Sequence, residues 1–233
     1  MTVLAAQATL SPGAVGQGQR ESESGVAHGG LQSVLGPVAW ARLPQAVRAR
    51  FGEPCVAVDY VGVFEVVSAS RVGRVVAWCC RWLGTPVVPR IGRAIPAVVH
   101  VGPKGSGAAG DREYRWPNAV PCLVRSTKVI DPVDGLVEKL PARLCMPLEV
   151  YERKGVLHFV SRGYYFDLGR WWQKSTLKLW LPQFLSPGTT HVEHKDEGDG
   201  WFRFTMAVTH SLVGQMFYQT GRFRAASTDE REP

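Results

Sequence analysis

Between Leu35 and Phe51, apolar side chains at Leu35, Val38, Ala39, Leu43, Ala46, Val47 and Phe51 return every three or four residues, the spacing of one helical face. Pro37 and Pro44 interrupt the run, which predicts two short helices or one broken helix ending at Gly52. Val56 to Ala69 is rich in Val and Phe and alternates weakly, as a strand does. Ser70 then stands where an N-cap belongs, ahead of a helix from Arg71 to Leu83 that Gly84 and Pro86 stop. On that helix Val72, Val75, Val76, Cys79 and Leu83 form the expected apolar stripe, with Arg71, Arg74, Trp78 and Arg81 along the other side.

Beyond Pro96 the period shortens to two. Ala97–Val101, Leu123–Ile130, Leu148–Tyr151, Val156–Val160, Leu177–Leu181, Trp201–Thr209 and Gln215–Phe223 read as strands, with tight turns at Lys154-Gly155 and Asp199-Gly200. Helices first and short-turn strands after them predict an α+β domain, its N-terminal helices packed on a curved antiparallel sheet or half-barrel. The glycine-rich stretch 102–110 lacks the Gly-Lys-Ser/Thr ending of a phosphate loop and reads as a flexible hairpin loop. Residues 1–30, rich in Gly, Ser, Gln and Ala, read as a disordered leader. Residues 31–224 form one domain, and 225–233 a polar tail.

The chain's 233 residues carry 27 basic and 20 acidic side chains, a net charge of +7. That excess is local: residues 31–100 hold eight basic and three acidic groups and 141–185 hold seven and three, whereas 186–233 hold five and seven. With no recognition helix or RNA-binding signature beside it, the charge does not point to a nucleic-acid partner. Five cysteines without a C-x-x-C pair indicate neither a zinc site nor a disulfide framework, and suit a reducing cytoplasmic setting.

Two basic segments carry tryptophan. Arg71, Arg74, Trp78 and Arg81 suit a peripheral membrane surface or an acidic protein partner, or else form a solvated helix face. Arg170 to Trp180 interleaves aromatic and cationic groups, and places Lys178 and Trp180 on one face of a strand with Leu177 and Leu179 on the other. His191-Val192-Glu193-His194 invites a metal reading, but on a strand His191 and Glu193 point one way and His194 the other. At most two ligands then converge, and no metal is expected. His210 shares a face with Phe202, Phe204, Met206 and Val208, as a core histidine or as a polar group in a ligand cavity.

Leu43-Pro44, Gly73, Gly84-x-Pro86, Gly135-Leu136-Val137-Glu138, Leu181-Pro182, Leu185-x-Pro187, Glu193, Phe202-x-Phe204, Gly214, Tyr218 and Gly221 occur in an order and spacing that resembles the bacterial family known as domain of unknown function 4166, over about residues 31–224. Where that family tends to show a W-x-R-x-F run, this chain has Tyr114-Arg115-Trp116-Pro117. The resemblance implies no established activity and no cofactor, although some members look like partners of short-chain-dehydrogenase-type domains or of membrane proteins.

Three functions follow as expectations. One is a non-enzymatic domain holding a hydrophobic or lipid-like small molecule against the sheet, with Phe202, Phe204, His210 and Tyr218 as ligand-binding residues. The second is an accessory or catalytic domain using Glu193 with His191 or His210 as acid and base beside a partner oxidoreductase. The third is attachment to a membrane or protein through Arg71, Arg74, Trp78 and Arg81.

Overall fold

The computed structural model describes residues 30–80, 90–105, 107–117, 119–172 and 175–227. The expected leader, Arg81, Leu83 and the last residues of the tail lie outside them. Three short helices begin the fold: α1 (Leu31–Leu35), α2 (Pro37–Arg42) and α3 (Gln45–Phe51). Pro37 occupies the first turn of α2 and Pro44 caps α3, positions where a missing N–H leaves no intrahelical bond unmade. The two prolines therefore divide the helical run where the sequence placed them.

Strand β1 (Val58–Ala69) follows, then α4 (Arg71–Cys80), whose Gly73 N–H donates to Ser70 Oγ at 3.0 Å. The buried face of α4 is Gly73, Ala77 and Cys80, not the predicted stripe: Val72, Val75 and Cys79 are exposed. Close approach explains the reversal. A Cβ at Gly73 would run into the carbonyl oxygen of Met216, so the helix docks through its smallest residues and turns Val72 and Val75 outward, with Val76 half-buried against the core.

Eleven further strands complete the described sheet: β2 (Gly92–Lys104), β3 (Gly107–Tyr114), β4 (Cys122–Asp131), β5 (Gly135–Lys139), β6 (Leu144–Arg153), β7 (Val156–Ser161), β8 (Tyr165–Trp172), β9 (Ser175–Trp180), β10 (Thr189–Gly198), β11 (Trp201–His210) and β12 (Gly214–Ala225). Lys154-Gly155, at φ 52° and 77°, and Asp199-Gly200, at 51° and 77°, turn the β6–β7 and β10–β11 hairpins with the double positive φ of a type I′ turn. Every strand pairing among the described residues is antiparallel, in the order β5-β4-β3-β2-β1-β12-β11-β10-β7-β6. β5 returns to β6 through Val137–Pro147, Glu138–Met146 and Lys139–Cys145, which closes ten strands into a barrel. β8 and β9 continue outward from β6 as a tab.

This closure overturns the expected α+β half-barrel: the described residues are mostly strand, with a few short helices. Four strands escape the period-two reading. β3, Gly-Ala-Ala-Gly-Asp-Arg-Glu-Tyr, has almost no β-forming residue, and β5 spans five positions. β8 falls among basic and aromatic groups, and β10, Thr-Thr-His-Val-Glu-His-Lys-Asp-Glu-Gly, has one apolar side chain. Their neighbours fix them by register rather than by propensity.

The barrel interior divides in two. One cluster joins β1–β4 to β11 and β12 through Tyr60, Phe64, Tyr114, Phe202, Phe204 and Phe223. The other seats Leu43 and Val47 of the helical segment against Leu144, Met146, Leu157 and Phe159 of β6 and β7. Gly221 makes room for the first: a Cβ there would come 2.6 Å from the Val63 carbonyl oxygen and 3.0 Å from the Phe223 ring.

Candidate functional site

Between the two apolar clusters lies a seam of charge. Alternation on β4 turns Lys128 inward beside Glu138 of β5, its register partner, with Nζ–Oε2 3.3 Å; Arg112 of β3 approaches the same carboxylate at 3.8 Å. Both cations also face aromatic rings of the opposite wall. Lys128 Nζ lies 5.7 Å from the ring centre of Phe159, and the Arg112 guanidinium 5.8 Å from that of Phe204. Burial would raise the Glu138 pKa, but Lys128 and Arg112, with hydrogen bonds from Ser126 and Lys128, outweigh it and hold the carboxyl below its ordinary range.

His194, on β10, projects into the same seam, edge-on to Phe51, Phe159 and Phe204. Burial, with the charges of Arg50, Lys128 and Arg112, pushes its pKa well below the ordinary value, so the ring is neutral. Arg50 of α3 lies 3.5 Å over Phe202 and near Asp196. His194 Nδ1, Arg50 Nε and Nη1, and Asp196 Oδ1 are buried with no hydrogen-bond partner among the described residues. Three cations thus face two carboxylates inside the barrel, and several polar atoms await a partner. Lys128 nevertheless keeps 31% of its side chain accessible, so the seam is not fully covered by protein.

Of the expected ligand-binding residues, Phe202 and Phe204 line this interior. His210 is buried at the far end of β11, where its Nδ1 accepts the Leu212 N–H at 3.2 Å, a bond that fixes the local turn. Tyr218 alternates with the fully buried Gln219, which takes the Tyr114 hydroxyl at 3.0 Å, and so belongs to the outer wall.

The outer wall also gathers the acid/base candidates. His191 and Glu193 lie together there, with His191 Nε2 and Glu193 Oε1 3.7 Å apart, while His210 is on the other face of the sheet. His158 of β7 joins them, its Nδ1 3.0 Å from His191 Nε2 and 3.5 Å from Glu193 Oε1. Burial and the neighbouring His191 and Arg153 lower the His158 pKa against the pull of Glu193. Sequence reading missed His158 because its strand is otherwise apolar, and only the β7–β10 register brings it to Glu193.

On α4, Arg71, Arg74, Val75 and Trp78 line a shallow surface depression of about 420 Å³, with Val75 and Trp78 about 60% exposed. On β9, Lys178 bonds Asp134 at 2.5 Å, and the side chains of residues 170–176 lie outside those described. No helix of the described residues is long and apolar enough to cross a membrane.

A family described as "Domain of unknown function (DUF4166)" has a model that matches residues 43–223. No curated protein and no solved structure matches the chain.

Proposed function

Since the chain belongs to the family of domain of unknown function 4166, whose description assigns no activity, we propose from the geometry alone that the barrel holds a hydrophobic or lipid-like small molecule with an anionic head. One observation carries the reading: the partly accessible Lys128 side chain, turned inward between a paired Glu138 and the Phe159 ring. An interior filled only by protein would cover that side chain, and buried charges lacking partners are costly. Aromatic walls suit an apolar body, and the surplus cation suits a carboxylate or similar head.

Native mass spectrometry of the purified chain should show a small-molecule adduct that denaturation releases. The emptied protein should take up an anionic fluorescent probe such as anilinonaphthalene sulfonate. Lys128→Met should weaken probe binding about tenfold, the loss of one charge-assisted contact of about 1.4 kcal/mol. A chain that carries no adduct and leaves the probe dark has no such cavity.

A second reading, attachment of α4 to an anionic membrane surface, is favoured by exposed Val72, Val75 and Trp78 beside Arg71 and Arg74. Co-sedimentation with phosphatidylserine-containing vesicles should weaken with salt and disappear in the Arg71→Glu/Arg74→Glu variant. Equal sedimentation of variant and parent would leave α4 as an ordinary solvated helix.

A further inference from the structure

The three outer-wall side chains have the chemistry and spacing of a metal site. His158 Nδ1, His191 Nε2 and Glu193 Oε1 form a triangle with sides of 3.0, 3.5 and 3.7 Å. Donors held about 2.1 Å from one cation, at angles between octahedral and tetrahedral, stand about 3.0–3.5 Å apart. Two sides fall in that range and the 3.7 Å side between His191 and Glu193 lies just beyond it, so a small turn of the accessible Glu193 side chain seats one ion among the three without movement of a strand. The structure assigns His158, His191 and Glu193 as ligands of a single divalent transition-metal ion on the outside of the barrel. Two imidazole nitrogens and one carboxylate oxygen select the zinc, cobalt and iron(II) class over magnesium or calcium, which take oxygen donors.

The strands hold these donors in place. Glu193 registers with His158 across the β7–β10 ladder, and His191 lies one alternation away on the same side of β10. Tyr151 of β6, the register partner of His158, stacks on that ring at 4.8 Å and an interplanar angle of 13°, which fixes the imidazole plane. His158 is nearly covered, whereas His191 and Glu193 keep 36% and 40% of their side chains accessible, so a remaining coordination position faces solvent. Across the ladder on β11, Ala207 and Thr205 oppose His191 and Glu193, and these small side chains leave the approach clear. Three protein ligands with an open position is the arrangement of a reactive metal site rather than a closed structural one. The intervening Val192 and the following His194 belong to the interior, so loading of this site is independent of what the barrel holds.

Titration of the chelator-treated full chain with Co²⁺ tests the assignment. One equivalent should bind, with visible d–d bands and no intense near-ultraviolet thiolate band. His191→Ala and Glu193→Gln should each weaken binding at least about 100-fold while leaving the far-ultraviolet circular dichroism unchanged. Both positions are chosen because they are accessible, unlike His158. The assignment is overturned if neither Co²⁺ nor Zn²⁺ binds, if both variants bind as the parent does, or if a thiolate band shows that exposed Cys79 or the other cysteines take the metal.

Discussion

The Glu138 carboxyl lies below its ordinary range although burial alone would raise it, because Lys128 and Arg112 share the seam with it. A carboxyl whose pKa is lower folded than unfolded contributes stability that is fully present above the unfolded value, near 4.5, and lost as pH falls through the folded one. The urea midpoint of the parent should therefore decline below about pH 4.5, and Glu138→Gln should show a shallower acid decline. At pH 7 the variant leaves Arg112 and the partly accessible Lys128 without their carboxylate and should lose about 2 kcal/mol. Parallel acid profiles, with a loss at pH 7 below about 1 kcal/mol, would remove Glu138 from the charge balance. Comparing the two proteins isolates this group from Asp131 and Glu197, whose carboxyls are also held low. At this scale the sequence was partly legible: alternation sent Phe202 and Phe204 inward, and His191 with Glu193 to one face. It did not reveal partners that lie on other strands. Lys128 and Arg112 have no local signal and acquire their roles only through β5 and β11, as His158 does through β10.

Elements with strong local signals were legible. Pro37, Pro44 and Ser70 mark helix starts by the hydrogen bonds they lack or supply, and the two type I′ hairpins follow from Lys154-Gly155 and Asp199-Gly200. β11, with buried residues at every second position, is the clearest strand in the pattern and in the fold. What failed was any element specified by its neighbours. β3 is held by its ladders to β2 and β4, and at Gly107, where a Cβ would run into the Lys128 carbonyl oxygen, only glycine fits, a property that hydrophobic alternation does not register. The face of α4 was misread for a related reason. Counting apolar volume favours the valines, but docking on the Met216 backbone favours Gly73, Ala77 and Cys80.

Closure is a property of the whole molecule, and three residue pairs between β5 and β6 complete it. In an open half-barrel β5 would be an edge strand with its outward amides in water. In the closed ring, a peptide covering residues 135–139 should exchange deuterium as slowly as one covering β11, both limited by global unfolding. Exchange of the β5 peptide several orders of magnitude faster would mean the ring opens there. The wall on the far side is equally specific. Arg203 bridges Glu65 and Glu197, and Arg222 bonds Glu197 at 2.5 Å, so this outer surface of β1, β11 and β12 is charged, the reverse of a lipid-facing barrel wall. The tab of β8 and β9 alters one further property. A closed ring offers no strand for another chain to extend, but among the described residues β9 pairs only with β8 and keeps its other row of backbone groups free of a ladder. With Leu177 and Leu179 exposed along it, β9 is where recruitment or aggregation by strand addition would begin, and the remainder of the barrel is insulated from both.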